Sequence, residues 1–200
     1  MPLSKVACLL VFFCSTSAHA IFISKDWSSA NDNLLTLDTD SGLEWLDWSY
    51  TTNRSFSEVS GQFGSGGEFE GFRHATLGEL NALYSNAGFN FPTSGDAGNI
   101  PLAVEFVNYF GMTFDNSGGA GSEATYANPG SSANSYWVTA INQNSGLVVP
   151  EFFEFSANSE VEFVGNALVR TSVVPIPLAF WLFSSAMLGL FTYTSRKQPR

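Results

Sequence analysis

Four carboxylates fall within ten residues: Asp38, Asp40, Glu44 and Asp47. Hard cations such as calcium want several oxygen ligands, so this run is the first place where the residue types could do chemistry. The spacing does not fit the twelve-residue calcium loop. Counted from Asp38, Gly42 stands at position 5 rather than 6, and position 12 is Ser49 rather than a bidentate Glu. A polar hairpin turn is the favoured reading, because in a strand Glu44 and Asp47 point to opposite faces. Asp38, Asp40 and Glu44 stay as the cation candidates, and calcium is the cofactor they would hold.

Nucleophilic chemistry has little to work with. Both cysteines, Cys8 and Cys14, lie in the first twenty residues, as does His19, which leaves His74 as the only histidine in the body of the chain. One imidazole without thiolates cannot build a zinc site of His and Cys. A serine hydrolase would need His74 as its base, with an orienting acid and a nearby serine. The Gly64-Ser65-Gly66 run lacks the spacing of a nucleophile elbow. Eighteen acids permit a pair of carboxylates for glycoside hydrolysis, but nothing in the sequence marks one. Arg73 and Arg170 read as charge partners for some of these acids.

The ends of the chain read as processing segments. Lys5 followed by the apolar run Val6 to Cys14, then small residues at Ala18 and Ala20, is the pattern of a secretory signal peptide over residues 1–20. Its partners would be the export machinery and signal peptidase. Residues 21–172 then carry four cations against all eighteen acids, a net of −14. Such a surface repels nucleic acid and anionic lipid and attracts cations. Residues 173–200 hold Val174-Pro175-Ile176-Pro177, sixteen uncharged residues from Leu178 to Tyr193, and a basic end with Arg196, Lys197 and Arg200. The uncharged run would span roughly 24 Å as a helix, near the ~30 Å of a bilayer core. Its basic flank orients the C-terminus to the cytoplasm.

The tail resembles the PEP-CTERM class of bacterial sorting signals. The matching residues are the Val174–Pro177 motif, Leu178-Ala179-Phe180-Trp181-Leu182-Phe183, Leu188-Gly189-Leu190 and Arg196-Lys197, with Ile176 where a strict Pro-Glu-Pro motif has its acid. The resemblance implies an inner-membrane intermediate, recognition by an exosortase-type protease, and then release or attachment at the surface of a bacterium that makes an exopolysaccharide matrix. A permanent membrane anchor is the other reading of the same residues.

The body of the chain predicts an α+β domain of antiparallel strands and two to three short helices. A strand opens at Ile21, and strands at 34–38 and 43–48 flank the turn Asp38-Thr39-Asp40-Ser41-Gly42. Capping boxes at Ser55…Glu58 and Thr76…Glu79 start two helices, and Pro101 starts a third. A Gly/Ser/Ala/Asn-rich loop is predicted for 115–135, followed by strands at 136–141, 147–155 and 167–172. The run TDSGLEWLDW, SFSEVSGQF, GGEFEGFRHATLGELNALY, SYWVTA, GNALVR is similar to the C-terminal domain of collagen-like adhesins. That domain is related to C-type-lectin-like and formylglycine-generating-enzyme-like folds. The resemblance implies a compact lectin-like domain, with polysaccharide as a ligand class. It also points to Glu123, Asn128 and Pro129 as a counterpart of the lectin cluster of carboxylate, amide and proline.

Overall fold

The structure, a computed structural model, describes residues 22–130, 132 and 134–172. The leader and the sorting tail, with Ala18, Ala20, Val174–Pro177, Arg196, Lys197 and Arg200, lie outside the described residues. Among the described residues no helix is long and apolar enough to cross a membrane.

Strands β1 (Phe22–Lys25), β2 (Leu35–Asp38) and β3 (Leu43–Leu46) form an antiparallel meander. The β2–β3 hairpin closes at Asp38↔Leu43, and Gly42 takes φ +68° at its end. A residue without Cβ adopts that left-handed conformation at little cost. Asp38 ties the turn from within: Oδ1 accepts the Asp40 and Ser41 amides, and Oδ2 accepts the Ser41 hydroxyl and the Asn86 amide.

A single 3-10 turn (Trp48–Thr51) and the short helix α1 (Phe56–Ser60) follow. Ser55 accepts the Glu58 amide, but the Glu58 carboxylate turns to Arg54, so only half of the predicted capping box forms. Strand β4 (Arg73–His74) leads into helix α2 (Leu77–Asn86), where the box between Thr76 and Glu79 is complete. Arg73 clamps Glu79 through two bonds of 2.5 and 2.8 Å. That pairing, with the Thr76 bonds, holds the Glu79 carboxyl down at about 2. Thr76→Ala removes the cap and is expected to cost about 1 kcal/mol in chemical denaturation, with no change in slope.

Helix α3 (Asn99–Phe110) begins two residues before Pro101. Buried Asn99 sets this start, donating to the carbonyls of Asn90 and Gly146 and accepting the Asn90 amide. Pro101 still falls in the first turn, where no intrahelical N–H bond is lost.

The largest departure from expectation is at 115–135. Instead of a long loop, the chain forms β5 (Phe114–Asn116) and the eleven-residue β6 (Gly119–Pro129). These join β7 (Ser135–Asn142) and β8 (Leu147–Ser156) in the sheet order β5-β6-β7-β8. Two-residue β9 (Gly165–Asn166) adds to β6 in parallel. Strand β10 (Leu168–Thr171) then returns to the first sheet, between β3 and β4. The domain is therefore α+β, with two largely antiparallel sheets and three helices among the described residues.

The main core lies between α2, α3 and both sheets. It holds Trp45, Trp48, Leu80, Leu83, Tyr84, Phe106, Phe110, Tyr126 and Ile141. Aromatic rings dominate it: Phe106 stacks on Phe110 at 4.1 Å, and Trp48 meets Phe106 edge-on at 5.4 Å. A second cluster, with Leu35, Leu46, Val59, Phe69, Phe72 and Leu168, sits under the loop between α1 and β4.

Candidate functional site

Three separated segments build an open groove of about 380 Å³. Leu77 and Asn81 come from α2, Phe91 and Pro92 from the segment after it, and Val149, Pro150 and Glu151 from β8. Each wall is fixed by the fold. The buried Tyr84 hydroxyl bonds Thr139 Oγ1 and holds α2 on the second sheet. Thr93 exchanges two backbone bonds with Val148, at 2.9 and 3.1 Å, which pins the Phe91–Pro92 segment alongside β8. Phe91 meets Tyr84 edge-on at 5.6 Å, which fixes its ring plane.

The polar groups of the groove are few. Asn81 Oδ1 is buried and takes no hydrogen bond from the protein. Glu151 is exposed, and its Oε1 accepts Asn128 Nδ2 at 2.8 Å. Asn128 also donates to the Tyr126 hydroxyl at 3.3 Å. A ring, two prolines and two aliphatic side chains beside an amide and a carboxylate suit an apolar ligand face carrying hydroxyl or amine groups at its edge.

The residues singled out from sequence fall elsewhere. The hairpin register pairs Asp38 with Leu43 and Leu37 with Glu44, so Asp38 and Glu44 point to opposite faces. That geometry does not bring Asp38, Asp40 and Glu44 together. Asp38 is consumed by its turn. Glu44 lies between Lys25 and Arg170, with Ser172 donating to it as well. Burial pushes the Glu44 carboxyl up, but the bonds from Lys25, Arg170 and Ser172 outweigh this and hold it below its ordinary value. Among the described residues no group of three or more His, Cys, Asp or Glu is placed to hold a metal ion.

Glu123, Asn128 and Pro129 do not converge either. The register of β6 against β7 shifts between Thr125 and Pro129, which separates Glu123 in the regular part of the strand from Asn128 in the irregular part. Asn128 pairs with Glu151 instead. Glu123 is 8% exposed in the middle of β6, its Oε2 buried without a partner, and burial pushes its carboxyl up to about 7.

His74 has a serine and an amide beside it. Ser60 Oγ lies 3.5 Å from Nδ1, and Nε2–H donates to Asn166 Oδ1 at 3.0 Å. The arrangement is structural. The Ser60 hydroxyl spends its proton on the Phe56 carbonyl at 2.7 Å, and Phe56 stacks on the imidazole at 3.8 Å. Burial drives the imidazole down to about 4 against the bond to Asn166, too low for a base at neutral pH. Asn166 also receives Thr125 Oγ1 and donates to the carbonyls of Thr51 and Arg54, so it stitches β4, β6 and the 3-10 turn together.

Sequence reasoning missed Asn81, Phe91, Pro92 and Glu151. The only local signal was the Phe89-Asn90-Phe91-Pro92 run directly after α2. Comparisons with protein families, curated proteins and solved structures found no match.

Proposed function

We propose that the domain is an exported, non-enzymatic glycan-binding module of a bacterial surface or extracellular matrix. In this reading the leader directs export and is removed by signal peptidase. The tail holds the chain in the inner membrane until an exosortase-type protease acts on the Val174–Pro177 motif. The finer fold reading, a lectin-like domain, rests on the order of motifs from Thr39 to Arg170.

The observation that carries the binding reading is the groove of Phe91, Pro92 and Pro150, lined as well by Asn81 and by the exposed Glu151 carboxylate. A pyranose has one apolar C–H face and a rim of hydroxyls. Its face suits the ring and prolines, and its rim suits the amide and carboxylate.

Titration calorimetry with neutral and amino-sugar hexamers tests it. Saturable binding is expected, with reducing ends unchanged over time. Phe91→Ala and Asn81→Ala are each expected to weaken it roughly tenfold, a loss of about 1.4 kcal/mol. Release of reducing ends would make the protein a glycoside hydrolase. Absence of binding to every hexamer would remove the glycan reading.

A further inference from the structure

We propose that the groove selects sugars bearing an ammonium group, such as a glucosamine polymer, over neutral and uronic acid sugars. The proposal rests on the glycan-binding reading and adds the charge of the ligand.

The first support is where the cations are. The described residues contain four basic side chains, and every one is committed to a carboxylate. Lys25 and Arg170 share Glu44, Arg54 bridges Glu58 and Glu68, and Arg73 clamps Glu79. Arg54 and Arg170 also lie over the rings of Phe69 and Phe72, each 4.8 Å from the centroid. None lines the groove. A uronic acid would therefore enter a site with no free cation among the described residues, on a domain whose net charge is −14. Like charge raises the cost of every such encounter.

The second support is what the groove offers in their place. Among the described residues Glu151 is the sole charged side chain lining it. The Asn128 amide holds one of its oxygens, which fixes the carboxylate at the rim. An ammonium on the ligand can take the carboxylate as a charge-assisted acceptor. The Phe91 ring lines the same groove, and a cation over such a ring gains further attraction. An N-acetyl group at the same position supplies one N–H and no charge.

The test compares hexamers of glucosamine, N-acetylglucosamine and galacturonic acid on the full domain and on Glu151→Gln. Glu151 is exposed, so the substitution leaves the core untouched, and thermal melting checks this directly. The wild type is expected to bind the glucosamine hexamer roughly fivefold more tightly than the acetylated one in low salt. The margin should shrink in 0.5 M salt, where the Debye length is about 4 Å. Glu151→Gln should abolish the margin, read as the ratio of the two affinities, whatever the substitution does to each affinity alone.

Equal affinity of wild type for the glucosamine and acetylated hexamers would overturn the ammonium preference and leave the glycan reading standing. A margin that persists in Glu151→Gln would also overturn it, by showing that the acidic surface as a whole attracts the ligand. Tightest binding of the galacturonic hexamer would overturn it outright. Binding of none of the three would remove both this inference and the glycan reading beneath it.

Discussion

Replacing Glu123 by Gln is expected to stabilise the domain progressively as the pH rises from about 4.5 to about 7, while replacing His74 by Gln relieves a penalty that grows as the pH falls from about 6.5 to about 4. Both effects come from burial without a charged partner. In the fold the Glu123 carboxyl keeps its proton up to about 7, whereas the unfolded chain releases it near 4.5. Between those values the folded state binds more protons than the unfolded state. Stability therefore falls with rising pH across that window and is constant above it. His74 works in the opposite sense. The unfolded imidazole takes a proton near 6.5, and the buried one resists until about 4. There the unfolded state binds more protons, so stability falls as the pH drops.

Each shift corresponds to roughly 3 kcal/mol across its window. The two slopes oppose each other between about pH 4.5 and 6.5 and nearly cancel in the wild type. Differences between variant and wild type isolate each group from the background of the other acids. Urea melts at half-unit steps of pH would show Glu123→Gln gaining about 3 kcal/mol relative to wild type on going from pH 4.5 to 7. A difference that stays flat across that range would mean that Glu123 ionises normally in the fold. For His74→Gln the difference should rise by a similar amount toward pH 4, apart from a constant offset from lost stacking on Phe56.

The second large effect belongs to β6. Gly121→Val is expected to cost about 3 kcal/mol or more, and in thermal scans the domain should melt earlier by several degrees at the least. A Cβ on Gly121 would run into the Ile141 carbonyl and press on the Phe114 ring. The carbonyl belongs to the neighbouring strand's backbone, so it cannot rotate away. Gly64→Ala is the matched control: its φ is not positive, nothing lies within 4 Å of the added carbon, and its effect should be within about 0.5 kcal/mol. If Gly121→Val melted with the wild type, β6 would not be the closely packed strand described here.

Gly121 also explains why this part of the fold was not legible from sequence. A run of Gly, Ser, Ala and Asn has low strand propensity and reads as a loop. In the structure those small residues are what allow β6 to be buried on both faces, with Ala124 and Tyr126 in the main core and Thr125 against Asn166. Tertiary packing overrides local preference there. Elements with local chemistry were legible. The DTDSG turn, the Thr76…Glu79 box and the aromatic face of α3 each announce themselves within a few residues. The groove was not, because its walls come from segments near 77–81, 91–92 and 149–151, joined only by long-range pairing such as Thr93 with Val148. The acid run at 38–44 was legible as a polar hairpin turn, the reading favoured from sequence. The shared cation site left open there is not assembled, because the alternation of the strand sends Asp38 and Glu44 to opposite faces.

The central claim is that residues 21–172 work outside the cell, freed from both ends of the chain. Intact mass of the protein recovered from the medium, the cell surface and the membrane fraction tests it most directly. The expected result is a surface or extracellular species lacking residues 1–20 and the segment from about Val174 onward. Protein found only in the membrane, with Arg200 still present, would contradict sorting and make the tail a permanent anchor.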